Sequence, residues 1–225
     1  MRPDRADGVF ETMLVGDGRI QALAYHLDRL GRSIAALYGR RLPSGLADHL
    51  RAHAAGTAGE HRLRVDVVPG RDVAVTMTPV APGSRRAVTL APLVVPGGLG
   101  PHKWRDRRLL DARPADPTPL LVDSDGTVLE GAWGNLWILE GDRLFTPPAD
   151  GRILPGVTRA LLLELAPSLG LRPREDPISL DRMRAASVTF VTSSIRLAVP
   201  ATLSGGGAAP AAVVDRVRTA LGAHF

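Results

Sequence analysis

Short β-rich runs closed by tight turns alternate with helical stripes along all 225 residues, and that order limits the folds open to the chain. Val9 to Val15 is rich in β-formers, Gly16-Asp17-Gly18 turns the chain, and Arg19-Ile20 begins a return strand. Leu23, Leu27, Leu30, Ile34 and Leu37 then recur at spacings of four and three, the buried stripe of one amphipathic helix. A second helix is expected after Ser44, which has the chemistry of an N-cap. Arg62 to Val68 and Asp72 to Thr78 alternate as a hairpin about Pro69-Gly70-Arg71. Turn formers without periodicity follow from Pro79 to Ser84.

Beyond them the pattern predicts a strand over Ala87–Ala91, a Pro/Gly loop and a short basic helix from Lys103. A Pro-broken stretch from Pro114 to Pro119 leads to hairpins turning at Asp123–Gly126 and Gly141-Asp142. A helix is expected from about Gly156 to Ser168, strands over Ser187–Thr192 and Leu197–Leu203, a flexible turn at Gly205-Gly206-Gly207, and a closing helix over Ala211–Ala223. Hairpins interspersed with helices predict an α+β fold rather than a parallel βαβ series. We divide the chain into a small α+β domain, 1–79, a linker, 80–86, and a larger α+β domain, 87–225.

The net charge of +5 does not read as a nucleic-acid signature. The arginines are interleaved with acids, form no run longer than two, and only nine residues are aromatic. No apolar run approaches the length of a membrane span, and the N-terminus is polar, so a cytoplasmic protein without membrane or nucleic-acid partners is expected. With no cysteine, thiol catalysis, disulfides and thiolate metal sites are excluded.

Chemistry enters through a single residue. Lys103 is the only lysine against twenty-seven arginines. A guanidinium stays protonated, whereas a lysine amine can lose its proton and attack a carbonyl, so Lys103 is a candidate Schiff-base nucleophile. The count also has a compositional reading, since an Ala/Arg/Gly/Pro-rich chain is poor in lysine everywhere. Glu130, between Leu129 and Gly131 on a return strand, is either a buried functional carboxylate or a solvent-facing hairpin acid. Leu154-Pro155-Gly156-Val157-Thr158-Arg159 opens a helix and offers either a phosphate cradle or simple capping. Thr192-Ser193-Ser194 ends an apolar strand, where hydroxyls can donate to a phosphate or close a turn. His49 and His53 have helical spacing but no evident third metal ligand.

Taken in order, Asp7-Gly8-Val9-Phe10-Glu11-Thr12, His26-Leu27-Asp28-Arg29-Leu30, His102-Lys103, Leu129-Glu130-Gly131 with Asn135-Leu136, Leu154–Arg159 and Val191-Thr192-Ser193 resemble the class IV, or fold type IV, pyridoxal-phosphate enzymes. That family includes branched-chain and D-amino-acid aminotransferases and 4-amino-4-deoxychorismate lyase. The resemblance implies two α+β domains with pyridoxal 5'-phosphate between them, in a homodimer acting on a small amine or amino acid. It implies that Lys103 forms the Schiff base and shuttles protons, that Glu130 faces the pyridine nitrogen, and that Arg29 clamps the phosphate. Leu154, Val157, Thr158, Ser193 and Ser194 would line the rest of the cofactor site. Against the family pattern the chain is N-terminally shortened, with Asp4-Arg5 near its start, and the interval from Lys103 to Glu130 is short.

The reaction expected is lyase chemistry, releasing 4-aminobenzoate and pyruvate from aminodeoxychorismate. In such lyases a threonine two residues after the motif's phenylalanine protonates the departing enolpyruvyl group, and Thr12 holds that place. His102-Lys103 followed by Asp106-Arg107 is similar to the lyase's His-Lys…Asn-Arg, with Asp for Asn. Amino transfer on branched-chain or D-amino acids is the alternative, and a cofactor-binding pseudoenzyme a further one.

Overall fold

The computed structural model of the protein describes residues 2–204 and 211–223, so the expected turn at Gly205–Gly207 lies outside the described residues. Two compact units divide the chain. The first runs to Ser84 and includes His102–Arg107; the second holds Arg85–Pro101 and Arg108–Ala223.

In the first unit, β1 (Val9–Gly16), β2 (Arg19–Ile20), β3 (Glu60–Val67) and β4 (Ala74–Pro79) form an antiparallel sheet in the order β2-β1-β3-β4. Two helices, α1 (Leu23–Tyr38) and α2 (Leu46–Ala54), cover one face of it. Alternation along β1 sends Val9, Met13 and Val15 toward Leu23, Leu30 and Ile34 of α1 and Leu46, Leu50 and Ala54 of α2. Ser44 does not cap α2. The helix begins at Leu46 behind Gly45, whose φ of 80° reverses the chain in a way a side chain at Ser44 need not assist.

The segment 102–107 is not a helix, and it packs with the first unit rather than with the chain that flanks it. The cause lies in β1. On one edge β1 pairs with β3 over its whole length, but on the other β2 covers only Val15 and Gly16. The open edge at Gly8–Phe10 is filled by extended backbone. Phe10 N–H donates to Lys103 O (2.9 Å), Arg105 N–H donates to Gly8 O (3.1 Å), and Trp104 bridges Val9 and joins the core. Satisfying these otherwise open main-chain groups outweighs the helical preference of a basic run. The helix appears only afterwards, as α3 (Arg108–Asp111) of the second unit.

The second unit continues as β5 (Val88–Val94), β6 (Thr118–Val122), β7 (Thr127–Gly131), β8 (Asn135–Glu140), β9 (Arg143–Thr146), α4 (Val157–Leu165), β10 (Arg172–Glu175), β11 (Ile178–Ser179), α5 (Leu180–Ala185), β12 (Val188–Ser193), β13 (Leu197–Leu203) and α6 (Ala211–Gly222). Its nine strands form one mixed sheet ordered β10-β9-β8-β12-β13-β5-β6-β7-β11, with β9/β10, β13/β5 and β5/β6 parallel. Hairpins give the antiparallel pairs β6/β7, β8/β9 and β12/β13, as the sequence pattern predicts, while β7/β11 and β8/β12 are antiparallel between strands distant in the chain. The helix expected to reach Ser168 ends at Leu165 and continues as a 3₁₀ turn over Ala166–Leu169, where Pro167 withholds the next N–H. Trp137 and Phe190, partners across β8 and β12, stack 6.1 Å apart in the core.

The β7–β8 connection is closely packed against β12. Gly131 and Gly134 exchange main-chain hydrogen bonds, and a Cβ on Gly134 would lie 2.3 Å from Thr192 O and 2.8 Å from Val191 Cγ1. Gly134→Ala is therefore expected to cost about 1–3 kcal/mol in urea unfolding, because backbone must move. Gly31→Ala, in α1 with only Leu42 nearby at 3.5 Å, should stabilise by up to about 1 kcal/mol. Equal effects at the two positions would refute the close-approach argument.

Candidate functional site

Glu11 lies on β1 between Val9 and Met13, on the face that meets the helices. A carboxylate there must be paired, and α1 supplies the partners. Arg29 donates from Nε to Glu11 Oε1 (2.7 Å) and from Nη2 to Oε2 (2.7 Å), while His26 Nδ1 lies 2.8 Å from Oε2. All three side chains are buried. Burial alone would raise the Glu11 pKa, but the Arg29 charge and the hydrogen bonds from His26 and Arg29 outweigh it and hold it at about 2. Burial pushes His26 below its ordinary range despite the Glu11 hydrogen bond, and the charges of Arg29 and Lys103 add to that depression. His26 is thus a neutral donor to an ionised Glu11.

The buried stripe of α1 is consequently not the leucine row read from the sequence. It comprises Leu23, His26, Arg29, Leu30, Ser33 and Ile34, with Leu27 and Leu37 only partly buried. Glu11 and His26 were not assigned roles by sequence reasoning, yet a signal was present. Glu11 interrupts the apolar alternation Val9, Met13, Val15, and His26, Arg29 and Ser33 recur at spacings of three and four. Arg29 itself is found in a two-point pair that commits Nε and Nη2 to Glu11.

Lys103 reaches the other side of β1. Its Nζ lies 4.8 Å from the centroid of the Phe10 ring, and Phe10 shares its sheet face with Thr12 two residues on. The neighbouring His102 Nδ1 is 3.0 Å from Ser33 Oγ, which ties this segment to α1. Lys103, Phe10 and Thr12 are thus brought together in the first unit.

The second unit holds the remaining candidates. Glu130 is 7 % exposed, so the solvent-facing reading does not apply. Its Oε1 accepts from Leu154 N–H (3.2 Å), and Asn135 Nδ2 approaches Oε2 at 3.4 Å. Asn135 also donates to Leu154 O (2.9 Å), so both main-chain groups of Leu154 are engaged by this pair. A Cβ on Gly156 would fall 1.9 Å from Asn135 Oδ1, which explains glycine in the turn. Gly156 is the N-cap of α4, and no side chain caps the helix start formed by Val157 and Thr158. Ser193 Oγ accepts from Arg196 N–H (3.3 Å), closing a turn while leaving its own hydroxyl proton for another acceptor. Ser194 follows it, half-buried, and Thr192 Oγ1 accepts from Trp137 Nε1 (2.9 Å) and belongs to the core. His49 and His53 stand 6.3 Å apart with no acidic or cysteine neighbour completing a metal cluster among the described residues.

The family model for class IV amino-transferases matches residues 8–203. A D-alanine aminotransferase of Bacillus licheniformis is 31% identical over 114 residues, covering 49% of this chain and 40% of that enzyme, so the match spans less than half of that relative's length. Among solved structures, a hypothetical aminotransferase from Mycobacterium tuberculosis in its PLP-bound form superposes with a TM-score of 0.84 at 26% identity, over 98% of this chain and 89% of that one. A fold IV transaminase from Curtobacterium pusillum gives 0.85 at 27% identity, over 98% and 88%. Six ordered motifs, a mixed two-unit α+β fold and a family match across most of the chain agree: it belongs to the class IV aminotransferase family, the fold type IV group of pyridoxal-phosphate enzymes.

Proposed function

We propose that the protein is a pyridoxal-phosphate enzyme acting on the amino group of a small substrate, and that it cleaves 4-amino-4-deoxychorismate to 4-aminobenzoate and pyruvate. The residues present suit the cofactor. Lys103 offers the one side-chain primary amine for covalent attachment. Glu130 is a buried carboxylate oriented by N–H donors from Leu154 and Asn135, the chemistry that keeps a pyridine nitrogen protonated. The N–H groups at the uncapped start of α4, with the Thr158, Ser193 and Ser194 hydroxyls, suit a phosphate. Arg29, held by Glu11 through Nε and Nη2, is the arginine we assign to a cofactor phosphate, as a charge-assisted donor. In this scheme Leu154 acts as a brace for Glu130. The cofactor, when bound, supplies the electron sink for the bond being broken.

Thr12 carries the lyase reading. It lies on the sheet face where Phe10 meets the Lys103 amine, and its Oγ1 holds the proton that the departing enolpyruvyl carbon requires. Lys103, as the amine beside it, takes and returns the substrate proton. A second reading, amino transfer on D- or branched-chain amino acids, is favoured by kinship to the D-alanine aminotransferase. No helix among the described residues is long and apolar enough to cross a membrane. A cytoplasmic homodimer is part of the same proposal.

Thr12→Val separates the two reactions. Valine keeps the branched shape without a transferable proton, so 4-aminobenzoate formation should fall by about 10²–10⁴-fold while amino transfer changes little. Wild-type protein that yields no 4-aminobenzoate but exchanges amino groups with a 2-oxoacid would overturn the lyase reading in favour of the second. Protein that holds cofactor and does neither would be a pseudoenzyme.

A further inference from the structure

One end of the nine-stranded sheet carries an arginine cluster that the proposed reaction does not use. β9 and β10 run parallel with Arg143 beside Arg172 and Phe145 beside Arg174, so these four side chains share one sheet face. α5 covers that face only as far as Phe145. Arg182 lies with its Cζ 4.1 Å from the centroid of the Phe145 ring, and the apolar cluster there includes Met183 but no residue of β10. The sheet outruns its helix, and a cavity of about 430 Å³ opens beyond it, lined by Arg143, Phe145, Arg172, Arg174, Glu175 and Asp176.

Like charges side by side on neighbouring strands are destabilising, and Arg143 and Arg172 are such a pair. A single carboxylate answers both. Asp142 accepts from Arg172 Nη2 (2.6 Å); that hydrogen bond first, and the charges of Arg172 and Arg143 after it, hold its carboxyl below the usual range. The acids of the cavity wall are already engaged, Glu175 with Arg159 (3.0 Å) and Asp176 with Arg182 (2.5 Å). The guanidiniums of Arg143 and Arg174 make no hydrogen bond or ion pair among the described residues. With Arg159 and Arg182 included, five arginines meet four carboxylates, Glu140, Asp142, Glu175 and Asp176, which leaves one net positive charge.

The spacing indicates the kind of anion. Neighbouring strands place Arg143 and Arg172 about 4.8 Å apart at the backbone, and Arg174 follows about 6.6 Å further along β10. A carboxylate has only two oxygens and is matched by one guanidinium. Three guanidiniums spread over this length suit the oxygens of two linked phosphoryl groups. The cavity is also of the size that small organic ligands occupy, larger than an isolated phosphate needs.

We propose that this recess binds a small molecule bearing a diphosphate group, held by Arg143, Arg172 and Arg174. None of its lining residues is among those assigned to cofactor or substrate, and the inference does not depend on the chemistry of Lys103.

Calorimetric titration of the whole protein tests it, with the cofactor site first filled by pyridoxal phosphate and fixed with borohydride. The probes are inorganic pyrophosphate, ADP, orthophosphate and sulfate. Pyrophosphate and ADP should each bind at one equivalent, about 10-fold or more tighter than orthophosphate or sulfate. Arg143→Gln and Arg174→Gln should each weaken that binding about 10-fold, whereas Asp142→Asn, which releases Arg172 from its acid, should tighten it. Arg51→Gln, on α2 of the first unit, should change nothing. ADP bound more tightly than pyrophosphate would show that the organic portion is also read, and equal affinities would confine recognition to the diphosphate; both sustain the proposal. Absence of binding, affinity no better than that for sulfate, or equal losses in Arg51→Gln and Arg174→Gln would overturn it. Should Lys103 take no label, the same variants still locate the anion, because none of them alters a residue assigned to the cofactor.

Discussion

Glu11→Ala is expected to cost about 3–5 kcal/mol in urea unfolding, the largest stability effect of any single polar substitution predicted for this chain. The loss exceeds that of a hydrogen bond, because truncation leaves the Arg29 guanidinium buried beside His26 with its counter-charge gone. Asp48→Ala, which breaks an exposed i,i+3 pair with Arg51, should cost no more than about 0.5 kcal/mol. Equal losses would show that the buried cluster has no special weight. The same cluster sets the acid limit. His26 has a folded pKa below its ordinary 6.5, so the unfolded chain takes up that proton first and stability begins to fall as pH drops below about 6.5. Glu11 has a depressed folded pKa, so its contribution is fully present above 4.5 and is lost as pH falls toward about 2. That window carries on the order of 3 kcal/mol. In Glu11→Gln the lower window should vanish from a stability-against-pH profile; its survival would assign acid unfolding to other carboxylates. The cluster also qualifies Arg29→Ala as a probe of the phosphate site. That variant strands Glu11, so cofactor affinity must be measured where the variant is shown to be folded.

Lys103→Arg should abolish covalent cofactor attachment outright. Wild-type protein treated with pyridoxal phosphate and borohydride should carry one adduct on the peptide containing Lys103, and with a single lysine in the chain the assignment is unambiguous. Arginine retains the positive charge over Phe10 but is never available as a free amine at neutral pH. Two main-chain hydrogen bonds that seat this segment, Phe10 N–H to Lys103 O and Arg105 N–H to Gly8 O, do not involve the Lys103 side chain. The variant should therefore still fold without cofactor, as a cooperative thermal transition would show, separating chemistry from folding. A persistent adduct elsewhere in Lys103→Arg would reassign the attachment point.

Much of this protein is determined by local sequence. Alternation in β1, the 3.6-residue period of α1 and the turn residues at Asp123–Gly126 and Gly141-Asp142 each act over a few neighbours, so the hairpins and long helices are legible without coordinates. The solitary Lys103 is legible for a different reason: only one residue in the chain has its chemistry. What tertiary structure decided are the features that depend on an unfilled edge or an unpaired charge. The basic run at Lys103 has helical composition, yet it is extended because β2 is too short to cover Gly8–Phe10. Ser44 has capping chemistry, yet Gly45 makes the turn. Glu130 could have faced water, and it is buried because Leu154 and Asn135, 24 and five residues away, supply its donors. Arg29 reads as a lone cation in its motif, and only the packing of α1 on β1 binds it to Glu11. Arg64 carries no local signal at all. Its place opposite Thr12 and over the ring that Lys103 also meets follows from register between strands some fifty residues apart, a property of the folded sheet.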